Sequence, residues 1–288
     1  MLFKSKITPI VLGLVFILDA WLYAGVVNGQ APATSAPELY FLDVGQGDSE
    51  LIQFPNGVQM VIDGGPPNGE LLSSLAAILP PQDRYIDLVL MTHPQLDHMG
   101  GFVELVRQYK IGAFIGTGRA APLAAYQELA KLLQQKNIPY VEVKEGDTIA
   151  YQDSYFKILA PNASELKSKE LNDTCIVGLL ETPYFKALYT GDTGFKIEER
   201  ITRQYDINAD ILKVGHHGSR FSSGSAFLKE VSPALSVIEV GAKNTYGHPT
   251  PAALGRLEAN ASEIFRTDKQ GIIKVTYENG GLQVSHLE

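Results

Sequence analysis

Residues 86–90 form a mainly apolar run, and the next eleven residues contain two histidines, an aspartate and two adjacent glycines. The same change from apolar to polar follows the runs at 210–214 and 235–240. Apolar runs of this length are typical of buried strands, and the glycines that follow allow a tight turn. Because the ends of neighbouring strands in an α/β fold meet at one crevice, these separate turns can build a single site.

The remaining chain alternates strand patterns with helical spacing. Helical spacing is found at 71–79, 102–109 and 123–136, and again near 251–258. Short apolar runs consistent with strands lie between and after these segments; they include 39–42, 51–54, 58–62, 111–115, 140–143, 148–151, 155–159, 174–180, 185–189, 272–277 and 282–285. The sequence therefore predicts a mixed α/β fold.

The first residues form a separate region. Residues 7–27 are almost wholly apolar and long enough to cross a bilayer. Two lysines precede them and no Lys or Arg follows until Arg84, so the N-terminus is expected in the cytoplasm. We expect a membrane anchor or signal segment at 1–27, a linker at 28–37 and one domain at 38–288. An anchor would give a single pass of the cytoplasmic membrane with the domain outside, and cleavage would release a secreted domain.

Composition narrows the class of protein. The chain has 288 residues, of which 45% are hydrophobic, so it can bury a full core. The formal net charge of −8 argues against a generally basic protein that coats nucleic acid, although it permits a local basic patch. Its single cysteine, Cys175, excludes an intramolecular disulfide. No residue pattern specifies an oligomeric state.

The polar turns contain groups that bind divalent metal ions. Neutral imidazole and carboxylate suit Zn²⁺ and also Mn²⁺ or Fe²⁺, and a carboxylate such as Asp192 could bridge two ions. One histidine pair alone often caps or fills a turn, and Gly191-Asp192 alone is most often a turn. Asp43 and Asp63 lie at strand ends and are expected behind the site. The candidate ligands are His93, Asp97, His98, Asp192, His216 and His217.

Six motifs in order resemble those of the metallo-β-lactamase-like domain of ComEC-type competence proteins. They lie at 43–48, 63–65, 92–101, 190–192, 216–219 and 244–249. The resemblance covers residues 38–285 and implies a four-layer αβ/βα sandwich, here preceded by one N-terminal apolar helix, with a hydrolytic centre of one or two Zn or Mn ions.

The chain departs from the wider superfamily at the first metal site. The superfamily has His-x-His-x-Asp-His, and Gln95 occupies the second histidine position. Asn172 and Asp173 lie where a third histidine is expected. The second site, from Asp97, His98, Asp192 and one of His216 or His217, is more complete.

We therefore expect a metal-dependent phosphodiesterase or nuclease outside the cytoplasmic membrane, with DNA as a candidate substrate and a link to DNA uptake or degradation. Asp97 could hold a metal ion or orient water. His248, and whichever of His216 and His217 is not a ligand, could clamp phosphate or protonate the leaving oxygen. Two alternatives stay open. One is an ester hydrolase acting on phosphorylcholine or another cell-wall ester, and the other is a non-catalytic binding module with an incomplete metal site.

Overall fold

A computed structural model describes residues 36–287 of the chain. The apolar segment 7–27, its expected helix and most of the linker 28–37 lie outside the described residues. Within 36–287, no helix is both long enough and apolar enough to cross a membrane. The domain boundaries and the membrane anchor stay predictions.

The first of two β-sheets has eight strands among the described residues. It consists of β1 (Glu38–Phe41), β2 (Glu50–Gln53), β3 (Gln59–Ile62), β4 (Tyr85–Leu90), β5 (Lys110–Gly116), β6 (Tyr140–Glu142), β14 (Ile272–Glu278) and β15 (Gly281–Leu287). Their order is β15-β14-β1-β2-β3-β4-β5-β6, and β3 to β6 run parallel to one another.

The second sheet has seven strands in the described part of the chain. It consists of β7 (Thr148–Tyr151), β8 (Ser154–Ala160), β9 (Val177–Glu181), β10 (Lys186–Tyr189), β11 (Ile211–Lys213), β12 (Leu235–Ile238) and β13 (Glu263–Arg266). The order is β13-β12-β11-β10-β9-β8-β7, and β10 to β13 are parallel.

Apolar side chains from both sheets form a shared core. Phe41 and Ile62 of the first sheet belong to the same buried cluster as Tyr189 and Val237 of the second. The rings of Phe41 and Tyr189 stack with centroids 6.3 Å apart. The two sheets therefore pack face to face, as alternating side chains of strands require when each strand buries one side against a partner sheet.

Helices cover the outer face of each sheet. The helices are α1 (Glu70–Ile78), α2 (Leu96–Met99), α3 (Phe102–Gln108), α4 (Ala124–Gln135), α5 (Phe195–Gln204), α6 (Ser225–Val231), α7 (Pro251–Ala259) and α8 (Thr267–Gln270). Leucines and phenylalanines of α1, α3 and α4 pack on the first sheet, and apolar residues of α5, α6 and α7 pack on the second. The predicted mixed α/β fold is confirmed, as a sandwich of two sheets between helices.

Parallel strands set the place of the polar turns. The C-terminal ends of β3 and β4 lie at one edge of the first sheet, and those of β10, β11 and β12 lie together in the second. The expected polar turns follow these strands, so the topology brings them to the ends of neighbouring strands, where α/β folds place their sites.

Replacing Phe41 with alanine tests the shared core. Phe41 is fully buried, so Phe41→Ala should lower the free energy of unfolding by about 3–5 kcal/mol through lost burial and a cavity. Phe221 is 59% exposed, and Phe221→Ala should change it by less than about 0.5 kcal/mol. Urea-induced unfolding of the full chain measures both. Equal small effects would show that the two sheets do not share a tight core.

Candidate metal centre

Four side chains from three segments of the chain meet where the two sheets come together. Asp97 and His98 lie on α2, the short helix after β4, and Asp192 follows β10. His217 lies in the turn Gly215–Gly218 after β11. Their ligand atoms all lie within 4.8 Å of one another. The structure thus places four of the predicted ligands in one group.

Three distances define this group. Nε2 of His98 is 3.3 Å from Oδ1 of Asp192. Nε2 of His217 is 3.7 Å from the same oxygen and 3.5 Å from Oδ2 of Asp97. We call Asp97, His98, Asp192 and His217 the donor set. It draws two residues from each half of the sandwich.

The donor set fits a divalent ion. Nε2 of His98, Nε2 of His217 and Oδ1 of Asp192 are buried and have no hydrogen-bond partner among residues 36–287. Buried polar atoms are nearly always paired, and leaving one unpaired costs about 1–3 kcal/mol. Two imidazole nitrogens and two carboxylates are donors that suit Zn²⁺ or Mn²⁺. A cation among these atoms would satisfy all three.

Asp63 orients His98 from behind. Its Oδ2 is 2.7 Å from Nδ1 of His98, and it also accepts the Oγ1–H of Thr92 at 2.6 Å. The backbone N–H of Thr92 donates to Oδ1 at 2.7 Å. A carboxylate at Nδ1 places the proton there and leaves the lone pair of Nε2 facing Asp192. Asp63 therefore has the supporting position that the sequence suggested.

Charge in the donor set favours a cation. Burial opposes protonation of His98, yet Asp192, Asp63 and Asp48 raise its pKa well above the ordinary value. Burial would likewise raise the pKa of Asp192, but His98 and His217 hold it well below its usual range. The carboxylates of this site are therefore stabilised by nearby positive charge. A bound metal ion would supply that charge in place of the protons on the imidazoles.

A buried ion pair lies behind His217. Nδ1 of His217 is 3.0 Å from Oδ1 of Asp48 and 3.0 Å from the carbonyl oxygen of Glu239. Nζ of Lys213 contacts the other oxygen of Asp48, and both side chains are fully buried. Burial raises the pKa of the adjacent Glu50 to about 8. The Asp48–Lys213 pair fixes the imidazole whose Nε2 belongs to the donor set.

Sequence reasoning missed Asp48 and Lys213. The carboxylate of Asp43 accepts the backbone N–H of Gly45 at 3.2 Å and is not in the donor set, and its expected position behind the site stays a prediction. The same turn continues to Asp48, which lies behind His217. A lysine inside the apolar run 210–214 was the available signal, because a buried lysine needs a carboxylate partner.

His216 and His248 line the cleft above the donor set. Nε2 of His216 is 3.6 Å from Oδ2 of Asp192, and its side chain is 32% exposed. The rings of His216 and His248 have centroids 5.7 Å apart. The cleft has a volume of about 280 Å³, and its other lining residues include Gln46, Pro66, Gln95, Leu96 and Tyr246. The burial of His217 beside Asp97 favours it over His216 as the ligand.

His93 and Gln95 belong to the motif of the first metal site, where the sequence departs from the superfamily. Nδ1 of His93 is 3.0 Å from Oγ1 of Thr92, and its buried Nε2 has no hydrogen-bond partner within 36–287. The side-chain amide of Gln95 donates to Oδ1 of Asn172. A second possible group of Asp63, His93 and His98 shares His98, whose Nδ1 is occupied by Asp63. The donor set is therefore the more complete of the two groups.

Comparison with known proteins agrees with this geometry. The family model for the metallo-beta-lactamase superfamily matches residues 42–238. The chain belongs to this superfamily. The confirmed resemblance supports the expected metal-dependent hydrolase, and the candidate ligand groups support divalent metal ions as its cofactors.

Competence-related proteins are among the relatives of this superfamily member. The chain is 28% identical to ComE operon protein 3 of Bacillus subtilis over 85% of its length and 34% of the relative. It is 28% identical to Competence protein ComA of Neisseria gonorrhoeae over 92% of its length and 36% of the relative. The chain thus spans about a third of the length of these relatives.

A solved structure has the same fold. The metallo-beta-lactamase fold protein YhfI from Bacillus subtilis superposes with a TM-score of 0.57 at 13% identity. The match covers 86% of this chain and 99% of that one. At this identity the likeness shows the fold alone.

Breaking the ion pair behind His217 tests its structural role. Lys213→Met leaves the buried carboxylate of Asp48 without its partner and should lower the free energy of unfolding by about 3–5 kcal/mol. The control is Lys196→Met, because Lys196 is 72% exposed and pairs with Asp173; an exposed pair is worth about 0–1 kcal/mol. Urea unfolding of the full chain measures both. Equal losses would contradict the assignment.

Removing the carboxylate behind His98 tests the orientation of that ligand. Asp63→Ala should weaken Zn²⁺ affinity about 10–100-fold, because His98 loses the group that fixes its Nδ1 proton. Asp43→Ala removes a carboxylate that follows β1 and lies outside the donor set, and it should leave the affinity for Zn²⁺ unchanged. Titration against a chelator of known affinity gives both values. Unchanged affinity in Asp63→Ala, with the fold intact by circular dichroism, would refute the role.

Proposed function

We propose that this chain is a metal-dependent phosphodiesterase that cleaves DNA. The observation that carries the proposal is the donor set at the base of an open cleft, with three buried donor atoms unpaired among the described residues. The competence proteins among its relatives support a DNA-related substrate. From the sequence alone, we further propose that residues 7–27 anchor the domain outside the cytoplasmic membrane.

Asp97, His98, Asp192 and His217 would hold the ion. A bound Zn²⁺ or Mn²⁺ supplies Lewis acidity, which polarises a phosphoryl oxygen and lowers the pKa of a coordinated water. Asp63 and Asp48 keep the two imidazoles turned toward this position through contacts of 2.7 Å and 3.0 Å. The chain thus provides a rigid site whose ligands need little rearrangement.

Asp97 connects the donor set to the cleft. Its side chain is 33% exposed, whereas the other three members of the set are buried. Its Oδ2 faces His217, and the carboxylate lines the cleft. An exposed carboxylate here can accept a hydrogen bond from an attacking water and orient it toward a phosphorus atom.

His216 and His248 are placed to meet the substrate. Burial, together with the neighbouring imidazoles of His217 and His216, lowers the pKa of His248. This favours the neutral imidazole, which can donate one N–H to a phosphoryl oxygen. His216 pairs with Asp192 at the cleft wall. We assign phosphate clamping to His248 and protonation of the leaving oxygen to His216.

Metal content and DNA cleavage should depend on Asp192. The full chain reconstituted with Mn²⁺ or Zn²⁺ is expected to bind one ion per chain, because the Gln95–Asn172 pair and the use of His98 by Asp63 leave one complete donor set. It should cleave single-stranded DNA. Asp192→Asn should lose the ion and at least about 10²-fold in kcat, as removal of one electrostatic stabiliser does. Elemental analysis and a gel assay measure the two effects.

Asp153→Asn is the matched control, because Asp153 is exposed in the turn between β7 and β8. It should keep both the ion and the activity. Cleavage of p-nitrophenylphosphorylcholine without cleavage of DNA would favour the cell-wall ester hydrolase instead. A chain that takes up no ion after reconstitution would favour the non-catalytic binding module.

A further inference from the structure

Tyr246 extends into the mouth of the cleft. Its side chain is 70% exposed, more than any other large apolar side chain in the described part of the chain. It lines the same cleft as Asp97, Asp192 and His217. An aromatic ring is therefore open to solvent in the cleft that the donor set also lines.

The ring is held in place by its neighbours. It stacks on His248 with centroids 5.9 Å apart and planes at 26°. Asn244 closes the loop that carries both rings, because its amide donates to the carbonyl oxygens of Gly241 and His248 at 2.9 and 2.8 Å. Its Oδ1 accepts the N–H of His248 at 3.1 Å. Asn244 thus closes the loop on both sides of Tyr246, and the stack on His248 orients a ring that is otherwise largely exposed.

The rest of the cleft suits a flat group attached to an anion. Leu96, 43% exposed, and Pro66 add apolar lining, whereas the histidines and aspartates are polar and ionisable. His248 separates the Tyr246 ring from the donor set, since its centroid is 6.4 Å from that of His217. One imidazole therefore lies between the stacking face and the ion position. A volume of about 280 Å³ is large enough to admit an unpaired base.

We propose that Tyr246 is a stacking platform for the base of an unpaired nucleotide whose phosphate lies at the donor set. The favoured substrate is then single-stranded nucleic acid. Aromatic stacking contributes about 1–3 kcal/mol per base and tolerates every sequence, because each base has a π-face. This inference rests on the proposed phosphodiesterase function and adds the means by which the strand is recognised.

Binding of oligonucleotides with and without bases tests the platform. The full chain loaded with Mn²⁺ is titrated into fluorescein-labelled oligothymidylate and into an abasic strand of equal length. Both strands carry phosphorothioate linkages to resist cleavage, and anisotropy gives Kd. Oligothymidylate should bind about tenfold more tightly than the abasic strand, which corresponds to stacking of one base. A duplex of equal length should bind no better than the abasic strand.

Variants assign the difference to the ring. Tyr246→Ala should remove the tenfold preference and leave the affinity for the abasic strand unchanged, whereas Tyr246→Phe should keep it. Tyr155→Ala is the control, because Tyr155 is 43% exposed on β8 and does not line the cleft. The proposal fails if the wild-type chain binds both strands equally, if Tyr246→Ala keeps the preference, or if phosphocholine displaces oligothymidylate and thymidine monophosphate does not.

The outcome is separable from that of the proposed function. Loss of base-dependent binding alongside intact metal-dependent cleavage of DNA would refute the platform alone. Base-dependent binding that needs Tyr246, without any cleavage of unmodified DNA, would support the platform and refute the phosphodiesterase.

Discussion

The centre depends on one buried ion pair between the two halves of the sandwich. Asp48 lies in the turn between β1 and β2 of the first sheet, and Lys213 ends β11 of the second. The backbone N–H of Ser49 donates to the side chain of Glu239 at 3.1 Å and joins the turn of Asp48 to the segment after β12. Buried pairs are weak sources of stability, since desolvation offsets their attraction. The pair instead has a geometric role. It sets the position of Asp192 and His217, which follow strands of the second sheet, relative to Asp97 and His98.

The strands beside the site are predictable from the sequence, whereas the one-turn helices α2 and α8 and the longer helices α5 and α6 are not. β4 and β11 are apolar runs that end abruptly in polar turns, so their position follows from the pattern alone. α5 and α6 are absent from the sequence-based expectations. In α5 most of the surface is charged, and Ile197 and Ile201 are the fully buried apolar residues. Such a helix forms because packing on the second sheet stabilises it, which a short window of sequence does not reveal.

Residue type identified the candidate ligands, but backbone conformation was needed to sort them. His216 and His217 are adjacent and chemically identical, and the turn directs one into the donor set and the other into the cleft. Asp48 and Asp43 are likewise both aspartates in one turn. Nothing in the spacing of the motifs tells which carboxylate reaches a buried lysine 165 positions away. The role of Tyr246 also depends on exposure, which only the folded structure defines.

The turn that contains His216 and His217 has a strained backbone, which lowers the stability of the folded chain. His216 and His217 have φ angles of 52° and 54°, in the left-handed region that costs a residue with a Cβ about 1–2 kcal/mol. Glycine at position 216 would relax the turn and remove an imidazole from the cleft. Selection for thermal stability is therefore expected to favour glycine at position 216, whereas selection for catalytic turnover is expected to favour histidine.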